Sequence, residues 1–364
     1  MKLPVKNAFV LAAVLSLAST ASAAVHVMMQ EAHGVTTAIA ALEAKVKAYT
    51  ADRVLSAAEK AALDKLAAAI WSKAQRLVTA QGAPAIAGIE HFRALLAQNR
   101  VATNGASVIA ALTKARGAVW TQAKSDKEKS PFATFGAAWK KPYTGVRTLA
   151  TSNRGAAAHV LAFDLANPKI AVLMSRYQRS GANYVPRVVL ASAQSNQAQY
   201  AINGDFFSLR TFKPSGYTMS RKVFWAGTDT NRWEPGFAFT GHHVVFLPKG
   251  KAVPPWVENV ISARPRIMEN GAVITSYNEP DKAARSRRTG MGISKTGRVL
   301  YLVAAASATA VELGTLLKKV GAHEAMTMDA GGSAQMVSGG RVVQPSSDGG
   351  GVRRVANVLM VRFK

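Results

Sequence analysis

Ala325-Met326-Thr327-Met328-Asp329-Ala330-Gly331-Gly332-Ser333-Ala334-Gln335-Met336 is the stretch on which the reading of this chain turns. An apolar run ends in a carboxylate, and a turn of small residues comes directly after it. A strand here delivers Asp329 to its C-terminal tip. Gly331 and Gly332 let the backbone turn sharply and let a ligand approach closely. Ser333 is placed to cap the next element. Taken alone, the stretch also reads as a strand–turn–strand with a capping Asp. Two other places shift the balance: Asn203-Gly204-Asp205-Phe206-Phe207, and the arginines Arg264 and Arg288.

Working outward, Thr309 to Val320 is the convincing helix of the second half, with Val311, Leu313, Leu316, Leu317 and Val320 apolar. It leads directly into the Asp329 strand. Around it, short β-branched and aromatic runs alternate with Gly, Asn and Pro from Thr144 onward. His159–Leu165 and Ile170–Ser175 read as consecutive strands joined by a turn at Ala166-Asn167-Pro168. Val188 to Gln199 reads as a short strand or helix, and Gln199–Ile202 as a strand entering Asn203-Gly204. Val223–Ala226, Gly236–Thr240 and Val244–Leu247 are further strands, with His242 and His243 in a turn, solvated rather than gripping phosphate. Ile261–Pro265 ends another. Asn270-Gly271 signals a hairpin, Thr289–Ser294 and Arg298–Ala304 form a second one, and Val355–Arg362 closes the chain. Many strands with few helices predict an α+β domain built on a mixed β-sheet, spanning 144–364.

The first half has another texture. Residues 24–130 are rich in Ala, Leu, Lys and Glu, which favours helix. Ser56-Ala57-Ala58-Glu59 is a capping box. Leu63, Leu66, Ile70 and Leu77 recur at helical spacing after it, and Val35–Thr50 precedes it. Gly82-Ala83-Pro84 reads as a break. Ile89, Phe92 and Leu96 mark a third helix, and Val108, Leu112, Ala115 and Val119 a fourth. The expectation is a small all-α bundle, with Trp71 and Trp120 as core residues rather than ligand platforms. Its partner is not indicated. Lys124–Pro131 reads as a charged linker, and 131–143 as the crossover to the second domain.

Residues 1–23 read as a cleaved export signal: Lys2 and Lys6, an apolar run Ala8–Leu17, then Ala21-Ser22-Ala23. The form suits a bacterial periplasmic or secreted protein. The chain of 364 residues has no cysteine, which excludes a thiolate nucleophile, a thiolate metal site and disulfides. The formal charge is +26, and about +18 of it falls after Phe135. The cations are scattered, with no RNP or helix-turn-helix pattern. Phosphate-bearing or anionic glycans of the envelope are therefore favoured over nucleic acid as partners.

Asn203, Asp205 and Asp329 all stand at strand-to-turn junctions in glycine-containing loops, where functional groups concentrate. Two carboxylates with arginines suit hydrolysis at an acetal centre that bears a phosphate. One carboxylate serves as nucleophile or as the base that activates water, and arginines neutralise the phosphoryl oxygens. Ser333 has no His–Asp partner pattern, and no H-E-x-x-H or Walker A motif occurs. A divalent ion on Asp205 or Asp329 is allowed, although no ligand spacing supports one.

From about Thr144 to the end, about 60% of the chain, the sequence resembles the phosphodiester glycosidase (NAGPA-like) domain family. The family includes an enzyme that removes N-acetylglucosamine from a mannose 6-phosphate diester. AINGDFF (201–207), SARPRIMENG (262–271), RRTGMGISKTGRVLYLV (287–303), ELGTLLKKVGAHEAMTMDAGGSAQM (312–336) and RRVANVLMV (353–361) match family segments in the family's order. The resemblance implies Asp329 as the central carboxylate, with Asp205 as second catalytic candidate. It further implies Asn203, Gly204, Arg264, Arg288, Thr289, Gly331, Gly332 and Ser333 around the substrate. Two positions depart from the pattern. Asp205 stands where a Gly is frequent, and Ala330 replaces the first Gly of the triplet, so the backbone there must be an ordinary one. The implied activity is removal of a sugar from a sugar-1-phosphodiester; the alternative is a non-catalytic binder of anionic envelope polysaccharide.

Overall fold

The computed structural model describes residues 31–364, except 51–53, 76, 78, 102, 129–131, 133–134, 168, 229–234, 241–242, 252, 254–256, 263, 278–282 and 348–351. The export signal at 1–23, the tail of the linker at 129–131 and His242 lie outside the described residues. The chain divides into two compact units, Met1–Ala133 with Ala166–Pro168, and Thr134–Leu165 with Lys169–Lys364.

The first unit is helical: 31–49, Ala57–Ala74, Thr79–Ala97 and Gly105–Glu128. Ser56 starts the second helix with a reciprocal cap. Its hydroxyl accepts the Glu59 N–H at 3.2 Å, and its own N–H donates to the Glu59 carboxylate at 2.8 Å. Leu63, Ala67, Ile70 and Ala74 form the buried stripe of that helix, which packs on the third; Ile89, Phe92 and Leu96 of the third and Val108, Leu112 and Val119 of the fourth are buried as well, and those two helices pack on each other. Each large side chain so buried contributes about 1.5–3 kcal/mol. A Cβ on Gly88 would lie 2.9 Å from that of Ala115, so a small residue sets the spacing there. Trp71 is half-buried; the side chain of Trp120 lies outside the described residues.

Two local expectations are corrected. Gly82-Ala83-Pro84 does not break the chain; the interruption falls after Gln75, and Thr79–Ala97 runs through it. Pro84 sits near the helix start, where its missing N–H removes a single ladder bond. Lys124–Glu128 is not linker but the last turn and more of the fourth helix. Lys and Glu are good helix formers, so a charged run continues a helix as readily as it makes a spacer.

Among the described residues the second unit carries three larger sheets and a two-stranded one, Arg179–Ser180 with Asn183–Tyr184. A seven-stranded sheet runs in the order Val146–Asn153, Ala156–Asp164, Val299–Ala308, Ser286–Ile293, Glu324–Thr327, Arg266–Glu269, Ala272–Val273. A five-stranded sheet orders His243–Leu247, Gly236–Thr240, Asn259–Ser262, Met219–Ser220, Val223–Phe224. A second five-stranded sheet orders Arg341–Gln344, Met336–Ser338, Tyr200–Asn203, Val358–Phe363, Ile170–Met174. The class is α+β as expected. The mixed sheet is sharpened: every strand pair among the described residues is antiparallel. Parallel pairs need long crossovers, and this unit has few helices to make them.

The strands around residues 159–165 and 170–175 are consecutive but do not pair. The first lies beside Val299–Ala308 and the second beside Val358–Phe363, so the connection passes from one sheet to another. Val189–Ser195 is a helix. Asn270 and Gly271, with φ of 48° and 79°, close the Arg266–Glu269/Ala272–Val273 hairpin as their sequence signals. His243 opens a strand rather than sitting in the turn.

The helix Ala310–Lys319 opens with a Thr309/Glu312 capping box and buries Ala310, Leu313, Gly314 and Leu317 against the seven-stranded sheet. A Cβ on Gly314 would meet the Ile267 carbonyl at 2.9 Å, so the helix seats directly on the strand backbone. That seating fixes Glu324–Thr327 and hence the turn beyond it.

Candidate functional site

Three strand ends converge. Beyond Thr327 the chain leaves the seven-stranded sheet along two neighbours. The Thr327 N–H donates to Pro265 O at 3.1 Å, and the Met328 N–H to Thr289 O at 2.8 Å. The Asp329 N–H then crosses to Gly204 O at 3.0 Å, at the end of Tyr200–Asn203 in another sheet. Gly204 in turn donates to Asn357 O at 3.0 Å, just before Val358–Phe363 begins. The 203–207 and 329–333 loops, 126 residues apart at their Asn203–Asp329 contact, are therefore joined backbone to backbone.

Asn203 is the hub of this junction. It is fully buried, and its carboxamide is used at both ends. Nδ2 donates to Asp329 O at 2.8 Å. Oδ1 accepts the Gln335 N–H at 3.0 Å and the Thr289 hydroxyl at 2.9 Å. Only a side chain with donor and acceptor on one planar group meets both demands. Thr289, also fully buried, lies 3.2 Å from Asp329 O as well.

Asp329 is half-buried, and its Oδ1 accepts the N–H of Ala330 at 2.9 Å. A single 3-10 turn, Gly331–Ser333, comes next. Gly331 has φ 64°, the left-handed region that glycine enters without strain. Ala330 has φ −110° and ψ −174°, an extended backbone open to any residue. The alanine departure therefore costs this turn nothing.

Asp205 is different. It is 1% exposed. Its Oδ1 accepts the Ser262 N–H at 2.5 Å. Its Oδ2 accepts the Thr218 hydroxyl at 3.0 Å and, closer still, Asn357 Nδ2. Its own N–H donates to Asn357 Oδ1 at 2.9 Å. Burial pushes its pKa up to about 8; the three hydrogen bonds oppose that, and the Asp329 charge adds to it. As a group facing substrate, Asp205 is a correction: it lies behind the junction, sealed from solvent.

The arginines also divide. Arg264 is exposed, and its carbonyl accepts the Thr327 hydroxyl, two residues before Asp329. Arg288 is 1% exposed; Nε donates to Ala308 O and Nη2 to Ala284 O, both at 2.8 Å. Those bonds hold its guanidinium against the main chain inside the protein. Of the residues read as substrate contacts, Asn203, Gly204, Arg288, Thr289 and Ser333 are thus buried framework, while Gly331, Gly332 and Arg264 reach the surface.

Sequence reasoning missed Asn357, Thr218 and Ser262, which hold Asp205, and Gln335, whose N–H fixes Asn203. Asn357 carried a signal: one amide inside the apolar run Val355-Ala356-Asn357-Val358-Leu359-Met360-Val361. A fully buried Asn needs partners, and those partners are the site. The donors do not suit a divalent cation at Asp205, because both of its oxygens face N–H or O–H groups. Among the described residues no group of three or more His, Asp or Glu side chains is placed to hold a metal.

Residues 196–362 match the family described as phosphodiester glycosidase. Among solved structures, the chain is similar to a hypothetical protein from Synechocystis, at 15% identity and TM-score 0.48. That match covers 60% of this chain and 62% of the other, less than two thirds of its length. It is also similar to the catalytic domain of zebrafish N-acetylglucosamine-1-phosphodiester alpha-N-acetylglucosaminidase, auto-inhibited by its pro-peptide. There the identity is 16% and the TM-score 0.49, covering 64% of this chain and 85% of the other. No curated protein sequence matches the chain. No helix among the described residues is long and apolar enough to cross a membrane. The family match thus lies in the C-terminal part of this chain, where the motif segments stand in order, and that part is similar to the phosphodiester glycosidase family.

Proposed function

We propose that the C-terminal unit hydrolyses sugar-1-phosphodiesters, with Asp329 as the carboxylate at the reacting carbon. The observation that carries this reading is the junction itself. Asn203 and Gly204 hold the main chain of Asp329 from both sides at 2.8 and 3.0 Å, while the residue is only half-buried. A fixed backbone under an accessible carboxylate is what nucleophile or base chemistry requires. In the reaction the bond between the anomeric carbon and the phosphate oxygen breaks. A water oxygen ends on that carbon, and the phosphomonoester leaves carrying the bonding pair. A phosphate leaving group needs little protonation, so one carboxylate suffices. Asp205, sealed at 1% exposure, takes no part as acid or base at the sugar. Exposed Arg264 and the basic surface supply attraction for the anionic diester.

Export to a bacterial periplasm or medium fits residues 1–23, and the substrate class is then an envelope or extracellular glycan bearing phosphodiesters. The domain limits 24–130 and 144–364 are part of the same proposal. Release of free sugar from a sugar-1-phosphodiester by the purified protein is the test. Asp329→Asn is expected to lower kcat at least ~10²-fold. Turnover unchanged in that variant removes Asp329 from the chemistry.

The charge of +26 favours one second reading, a binder of anionic envelope polysaccharide that does not cleave it. Salt-sensitive glycan binding without turnover across a panel of diesters selects that reading; turnover rejects it.

A further inference from the structure

We propose that Asp205 and Asn357 act as a matched pair that positions Asp329 through Gly204. The inference rests on the reading of Asp329 as the reacting carboxylate, but the pair can be tested without activity.

Asn357 grips the 204–205 segment at three points. Its carbonyl takes the Gly204 N–H at 3.0 Å, its Oδ1 takes the Asp205 N–H at 2.9 Å, and its Nδ2 meets Asp205 Oδ2. It also fills the space beside Gly204, where an added Cβ would come within 1.7 Å of Asn357 Oδ1. The Gly204 carbonyl, held this way, receives the Asp329 N–H at 3.0 Å. The two side chains are 1% and 0% exposed and touch no solvent, so their work is on the main chain.

The pair also has a defined proton inventory. Among the described residues the side-chain oxygens of Asp205 have Ser262 N–H, the Thr218 hydroxyl and the Asn357 amide as hydrogen-bond partners, and no Lys or Arg. Asp329 acts on it as a like charge, and desolvation pushes its pKa up to about 8. Tyr217 and Arg264 are the titratable residues nearest in sequence to the Thr218 and Ser262 contacts. The Thr218 Oγ1 lies 3.0 Å from Asp205 Oδ2 and 3.1 Å from Gly216 O, with a single proton to give. When that proton goes to Gly216 O, Asp205 Oδ2 must carry one of its own to give to Thr218. The carboxyl then offers a donor and an acceptor, as the neighbouring amide does, and the two are complementary.

Complementarity predicts that exchanging the residues preserves the fit. In Asp205→Asn/Asn357→Asp, the new amide at 205 donates to both the new carboxylate and Thr218. The new carboxylate still accepts the 205 N–H. Each single change breaks the match: Asp205→Asn sets Nδ2 against Nδ2, and Asn357→Asp removes the amide donor to Asp205 Oδ2 and leaves two carboxyl groups to share one proton. The experiment compares both single variants and the exchange by hydrogen exchange at the Asp329 amide and, where the wild type turns over, by kcat and KM. The singles are expected to speed exchange at that amide at least 10-fold and to lower kcat with KM little changed; the double is expected to return both to within about 3-fold of wild type. Should either single not fold, a folded double is itself rescue. Thr218→Val, which keeps the pair and loses one donor, is then expected to speed the Asp329 amide several-fold. Singles with wild-type exchange at Asp329, a double as impaired as the sum of its parts, or an unchanged Thr218→Val overturn the proposal. A wild type with no turnover sinks the enzymatic reading alone, because the amide measurement still stands.

Discussion

The 203–207 and 329–333 loops look alike in sequence and differ in the folded protein. Each comes after an apolar strand, and each carries an aspartate close to glycine. Asp205 ends with both oxygens bonded and 1% exposure, whereas Asp329 is half-open with its main chain clamped. The difference comes from a third strand that neither motif contains. The closing strand Val358–Phe363 lies beside Tyr200–Asn203, and the residue just before it, Asn357, covers one loop only. A carboxylate at a strand tip is a candidate for chemistry, but what lies beyond the tip decides whether it meets water.

The change that should break this contrast most severely is Gly204→Ala. The new methyl overlaps Asn357 Oδ1 at 1.7 Å and crowds Ile261 Cδ1 at 3.0 Å. Asn357 must leave, and its bonds to Asp205 go with it. Overpacking and the lost polar contacts together should cost about 3–5 kcal/mol in denaturant unfolding. A loss under ~1 kcal/mol would mean that the Asn357 side chain moves aside freely. Asn203→Leu should rank next at about 2–3 kcal/mol. It leaves the Gln335 N–H without its acceptor, while the Thr289 hydroxyl retains Asp329 O as partner.

The sealed aspartate should also show itself in the pH dependence of stability. Asp205 has its pKa raised to about 8 by burial, against about 3.9 in an unfolded chain. Between those values the native state holds a proton that the unfolded state has lost. The stability it contributes is therefore complete below about pH 4 and is lost as pH rises through about 8. One proton corresponds to at most about 1.4 kcal/mol per pH unit. Asp205→Asn should flatten that part of the stability–pH curve whatever its effect at one pH. A slope identical to that of the wild type would assign the proton elsewhere.

Legibility in the sequence runs along a physical line. The capping boxes at Ser56 and Thr309, the Asn270-Gly271 hairpin and the Asp329 turn are local, and each is readable because neighbouring residues satisfy one another. Asn203 is readable as a site residue, but its role is not: its partners lie 86, 126 and 132 residues away. Arginine near a carboxylate suggests a phosphate contact, whereas the Arg288 guanidinium is buried and donates to two backbone carbonyls. Its burial against the carbonyls of Ala284 and Ala308 depends on a strand pairing with a register shift between Ser286 and Arg288. The pairing of strands across sheets, and hence the sealing of Asp205, is long-range information that periodicity does not carry.

The smallest effects belong to the Asp329 turn itself, and they test whether its departure from the family pattern matters. Gly331 has φ 64° with no atom within 4 Å of an added Cβ, so Gly331→Ala meets backbone strain alone, about 1 kcal/mol. Ala330 is already extended at φ −110°, so restoring glycine there relieves nothing. It adds freedom to the unfolded chain, and Ala330→Gly should destabilise by about 0.5 kcal/mol with turnover unchanged. These two substitutions have opposite expected causes at adjacent positions, one in the native backbone and one in the unfolded ensemble. Thermal unfolding of both separates them. If Ala330→Gly raised stability or turnover, the turn beside Asp329 would be strained by its alanine, and the extended geometry at that position would not describe the working site.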